Sequence, residues 1–244
     1  MLLAGWWGLV GGLALLLGAV IALRAPVQQK TIGLIMAFGV GVLISAVAFE
    51  LTEEAFANGG GAPTGLGLAL GAFAFYFGDT MLDRRGGEHR KRSGGQQGTS
   101  QQAGMAIVLG ALLDGIPESA VIGISLVGGE GVSVVMVVAV FLSNVPESLS
   151  ATTGLKAAGR TPKFILRLWT AVAIVSALAA MGGYTLMNDA SGDAIAVIQG
   201  FAAGAILTML SDTMMPEAFE DTGPQTGLWT VLGFTLSAYL STIG

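Results

Sequence analysis

Asp114, Glu118 and Glu147 are carboxylates set inside apolar runs, and two of them sit in matching Pro-Glu-Ser triplets. The runs read Leu113-Asp114-Gly115-Ile116-Pro117-Glu118-Ser119 and Leu142-Ser143-Asn144-Val145-Pro146-Glu147-Ser148. A carboxylate at the centre of a bilayer costs roughly 3 kcal/mol on insertion scales. Each proline removes a backbone donor, so Pro117 frees the carbonyl of Leu113 and Pro146 that of Leu142. On a helix, Asp114 and Glu118 share a face, as do Ser143 and Glu147, with Asn144 beside them. The set offers carboxylates, an amide, hydroxyls and loosened carbonyls. No Lys, Arg or His lies in the apolar runs that carry it. Such a cluster must take up protons or bind a cation. Oxygen donors suit hard divalent ions such as Mn²⁺ and Mg²⁺, and tolerate Zn²⁺ and Fe²⁺. The alternative is that the acids are protonated and only hydrogen-bond between helices, with the prolines as kinks.

The elements that carry these residues follow from composition. Of 244 residues, 53% are hydrophobic and 11% charged. Soluble domains carry about 25% charged residues. A membrane span needs about 20 apolar residues. Eight such runs are present, at 2–23, 31–52, 63–82, 103–127, 132–154, 164–187, 193–215 and 226–243. The expectation is therefore an all-α polytopic membrane protein. The opening Met1-Leu2-Leu3-Ala4-Gly5-Trp6-Trp7 has no basic segment, so the first run reads as a retained helix and not a cleaved signal.

All eleven Lys and Arg fall in or beside the first, third and fifth loops. The even loops hold only acids: Glu53 and Glu54, Glu130, Asp189 and Asp193. The positive-inside rule then places the odd loops in the cytoplasm and both termini outside, as expected for a multi-pass cell-membrane protein. The long polar segment 83–102 reads as a flexible cytoplasmic loop.

Residues 38–56 and 201–219 resemble each other. Phe38, Gly41, Glu54, Ala55 and Phe56 match Phe201, Gly204, Glu217, Ala218 and Phe219 at an offset of 163. The two Pro-Glu-Ser segments repeat at an offset of 29. Both repeats relate helices of opposite direction, which is the signature of an inverted-topology transporter. The chain then reads as one domain, 1–244, in a 3+2+3 inverted-repeat arrangement. Repeat 1 covers 1–82, the loop 83–102, the central helix pair 103–155 and repeat 2 163–244.

At these residues the chain resembles the ZIP (Zrt-, Irt-like) family of divalent metal transporters. The fourth helix of that family carries His-Asn-x-Pro-Glu-Gly, where this chain has Asp114-Gly115-Ile116-Pro117-Glu118-Ser119. The fifth carries a polar pair, a spacer, Pro and an acid or His, where this chain has Ser143-Asn144-Val145-Pro146-Glu147. The Leu-Pro-Glu-Ala-like endings of helices 2 and 7 match Leu51-Thr52-Glu53-Glu54-Ala55 and Met214-Met215-Pro216-Glu217-Ala218. The resemblance covers nearly the whole chain. It implies inward transport of a divalent metal such as zinc, iron or manganese, with Asp114, Glu118, Ser143, Asn144 and Glu147 as metal residues. It also implies a homodimer in the lipid bilayer.

The chain departs from that family in informative places. Asp114 replaces the helix-4 His, Gly115 replaces the Asn, helix 6 carries no acid, and the cytoplasmic loop has only His89. One oxygen-rich metal site is expected, not a binuclear one. Glu50 takes the place of a frequent His, and with Glu53 and Glu54 forms an acidic outer mouth. Asp212 and Glu217 line the inner exit. Asp79 is expected at the interface.

Other classes fit less well. No Walker-type loop is present, so nothing in the sequence indicates ATP use. With no Cys, there is no disulfide framework or thiolate metal site. No prosthetic group, nucleic-acid partner or enzymatic activity is expected. A proton-coupled carrier of another cation would use the same acids. An intramembrane aspartyl protease would need a Gly-x-Gly-Asp element, and the chain offers only Phe77-Gly78-Asp79.

Overall fold

The computed structural model describes residues 1–82, 84, 101–127, 131–188 and 190–242, with the backbone alone for 101–108. Most of the basic loop, with Arg85, His89, Arg90, Lys91 and Arg92, lies outside these residues, as do Glu130 and Asp189. The described residues form continuous helical rods and no strand. They are α1 (Leu2–Arg24), α2 (Gln29–Gly59), α3 (Gly61–Leu82), α4 (Gln101–Ile124), α5 (Val134–Ala157), α6 (Pro162–Met187), α7 (Gly192–Thr222) and α8 (Gln225–Ser241). Six of them, α1, α2, α3, α5, α6 and α7, are long and apolar enough to cross a membrane. This is the make-up of an all-α membrane protein.

Local chemistry sets the starts. Ser133 caps α5 by accepting from the Met136 N–H at 3.1 Å. Thr161 caps α6 by accepting from the Phe164 N–H at 3.2 Å, and Pro162 begins that helix, where its missing donor costs nothing. Ser191 caps α7.

Helices α2 and α7 outrun the apolar segments expected at 31–52 and 193–215. Both pass through a π-helical stretch, Val47–Thr52 in α2 and Leu210–Met214 in α7. Such wide turns recur at functional sites. Beyond them the helices carry their acids to Gly59 and Thr222. Both rods then stop at a residue with positive φ, Gly60 at 73° and Gly223 at 57°. The N–H of Gly60 bonds the Phe56 carbonyl at 2.9 Å, and that of Gly223 bonds the Phe219 carbonyl at 2.8 Å. A side chain with a Cβ would be strained in that conformation, so glycine ends both rods.

The most extensive packing joins α3 to α7, α2 to α8, α1 to α6, α1 to α5 and α4 to α6. Glycines let backbones touch where α2 meets α8: a Cβ at Gly41 would strike the Thr230 carbonyl, and one at Gly233 the Phe38 carbonyl. Where α3 meets α7, Gly204 lies against the Leu68 carbonyl and Gly71 against the Phe201 carbonyl. In lipid, where apolar side chains gain little by leaving their surroundings, such close contacts hold helices together. The main apolar core is built around α2, α5 and α7, with Trp169 and Leu155 centring a smaller one.

Candidate metal site between α4 and α5

Pro117 lies inside α4 and Pro146 inside α5, so both Pro-Glu-Ser triplets are helical, as the sequence predicts. Asp114, Glu118, Ser143, Asn144 and Glu147 are all buried, none more than 3% exposed. Helices α4 and α5 contact each other, and α1 packs on both. Gly11 marks the junction: a Cβ there would stand 3.3 Å from Ile122 Cδ1 on α4 and from Val140 Cγ1 on α5.

Hydrogen bonds fix the α5 side. Asn144 Nδ2 donates to the Gly11 carbonyl at 3.1 Å, which leaves Oδ1 as its acceptor. Ser143 Oγ donates to the Val140 carbonyl at 3.0 Å. Ser148 Oγ donates to the carbonyls of Asn144 at 2.9 Å and Val145 at 3.1 Å. The Leu142 carbonyl, released by Pro146, faces Gly39 of α2, where a Cβ would stand 3.3 Å away.

Among the described residues, no three Asp, Glu, His or Cys side chains stand together as a metal-binding group.

Glu50 and Glu54 line a small, partly open pocket, shared with Ser125, Ser133 and Gln199. Glu53 is exposed beside them. Ser133 Oγ donates to Glu50 Oε2 at 2.9 Å, and the Ser133 N–H donates to Ser125 Oγ at 3.1 Å. Glu50 thus sits at the N-terminus of α5, where the helix dipole favours an anion. Asn58 Nδ2 bonds the Glu54 carbonyl at 3.0 Å and Gln199 Oε1 at 3.4 Å.

The two acids expected at the inner exit differ in exposure. Glu217 is buried and accepts from Ser150 Oγ at 2.7 Å, whereas Asp212 is exposed. Asp79, expected at the interface, is buried at the end of α3, close enough to Asp212 for their charges to interact. Sequence reasoning missed Ser133, Ser150, Asn58 and Gln199. Only Gln199 left a trace, as a lone amide in the apolar run of α7.

Comparison with known proteins adds one relative. The chain is 26% identical over 212 residues to an Arabidopsis thaliana protein described as "Putative zinc transporter". The match takes in 85% of this chain but 33% of that protein, so the chain spans about a third of its length. No family model matches.

Proposed function

We propose that the chain is a ZIP-like permease that carries divalent metal cations, zinc, iron or manganese among them, into the cytoplasm. The observation that carries this reading is the burial of Asp114, Glu118 and Glu147 on two contacting helices, each with a proline inside it. Buried acids without a cation in the same apolar segments are retained at a cost only where they bind or relay charge. The similarity to a plant protein described as a zinc transporter points the same way.

In this reading Asp114 and Glu118 of α4 and Glu147 and Asn144 of α5 hold the ion, with Ser143 beside them. Coordination brings α4 and α5 together around it. Glu50 and Glu54 gather cations at the outer mouth, and Asp212 and Glu217 pass them on at the inner end. Protons exchange for metal on the same acids as the two faces alternate.

The packing supports an inverted repeat of eight spans, with α4 and α8 added to the six apolar rods. At the offset of 163, the π-helical stretch beginning at Val47 maps onto the one beginning at Leu210, and Gly60 maps onto Gly223. With α3 and α8 related at an offset of 162, one residue less, the contact of Gly41 with Thr230 corresponds to that of Gly204 with Leu68, and Gly233 with Phe38 to Gly71 with Phe201. The packing of α1 on α5 likewise corresponds to that of α6 on α4. The sequence places both termini outside and the loop 83–102 in the cytoplasm.

The test is metal uptake into proteoliposomes carrying the purified chain, with zinc, iron and manganese in competition. Saturable uptake of at least one of them is expected. Proton movement with no metal flux would favour the carrier of another cation.

A further inference from the structure

The same acid stands in opposite states in the two halves of the molecule. Glu54 and Glu217 correspond at the offset of 163. Glu54 is exposed and lines the open pocket. Glu217 is 7% exposed and accepts a 2.7 Å hydrogen bond from Ser150 Oγ. Ser150 is itself fully buried on α5, one turn beyond Glu147. The helix that carries candidate metal residues is thus tied by a side-chain hydroxyl to an acid of the inner exit. A bond from a hydroxyl to a carboxylate is among the stronger ones in an interior.

We propose that Ser150 is a positioning residue: its hydrogen bond to Glu217 is the latch that keeps the inner face closed while the Glu50–Glu54 pocket is open. This rests on the transport reading above. In this proposal a cation that engages the Glu217 carboxylate draws it away from the Ser150 hydroxyl, and so opens the face through which the ion departs. Under the pseudo-symmetry, opening at Glu217 goes with closing at Glu54.

The test is hydrogen–deuterium exchange of the full chain in nanodiscs without metal, comparing wild type with Ser150→Ala. Loss of the latch is expected to raise exchange across Leu210–Thr222 about ten-fold, the size of one such hydrogen bond. Exchange across Val47–Gly59 is expected to fall at the same time. A packing defect alone would not protect the opposite end, and Ser150→Thr, which keeps the hydroxyl, is expected to restore the wild-type pattern. Unchanged exchange at Leu210–Thr222, or a rise there without the reciprocal fall, overturns the proposal. If Ser150→Ala does not fold, Ser150→Cys, with similar volume and a weaker donor, carries the same test. Because no flux is measured, absence of metal uptake by the wild type counts against the transport reading and leaves the latch to be judged separately.

Discussion

On α4 the polar groups around Pro117 are two carboxylates one turn apart, Asp114 and Glu118, and the buried Ser119. On α5 the corresponding stretch around Pro146 is Ser143, Asn144, Glu147 and Ser148, and hydrogen bonds tie three of these four to backbone carbonyls. The first segment supplies charge. The second supplies one charge and a framework: Asn144 fastens α5 to α1 at Gly11, and Ser143 and Ser148 bond within their own helix. On the proposed reading, two segments alike in sequence divide the work, because charge binds a cation only if the donors beside it are held in place. The division also says which substitutions should matter.

The largest effect is expected on α4. Glu118→Gln or Asp114→Asn keeps the volume and removes a charge, and either should lower metal uptake by about 100-fold, at the upper end of what outer-shell changes cause. Equal losses from Asn144→Ala would erase the distinction between the two helices. That variant is expected to lower metal affinity about ten-fold and stability by about 1–3 kcal/mol, since it leaves the buried Gly11 carbonyl without its donor. Thermal unfolding in detergent measures the second effect and titration with metal the first. Asp114→His sharpens the comparison differently. Imidazole in place of a carboxylate should shift preference from manganese toward zinc in a competition assay. Ser148→Ala is expected to change uptake and stability least, by no more than about 0.5 kcal/mol, because both its bonds are to the preceding turn of its own helix.

Much of this arrangement was legible in the residues. The paired triplets predict two buried helical acid sites because prolines and carboxylates are costly in an apolar segment. The repeat at 163 foreshadows the matching glycine stops and close contacts, since Gly41 and Gly204 are already aligned. The ends of α2 and α7 were not legible. Apolar character stops near their acids, but backbone hydrogen bonding does not, so the helices continue to Gly59 and Thr222. The exposure of Asp212 beside a buried Glu217 has a related cause. Asp212 lies within the π-helical stretch, whose wider turn rotates every later residue away from the face a 3.6-residue period would give. Ser133 and Ser150 were invisible because a serine in a membrane helix usually bonds its own helix, as Ser143 does. Only the fold brings Glu50 and Glu217 to them.

The central claim is that the buried acids of α4 and α5 carry a divalent metal across the membrane. Metal uptake by proteoliposomes of the Glu118→Gln/Glu147→Gln double variant, beside wild type at equal helix content and reconstitution, tests it most directly. The account predicts saturable uptake by wild type and nearly none by the variant. Uptake by the variant equal to wild type would contradict it.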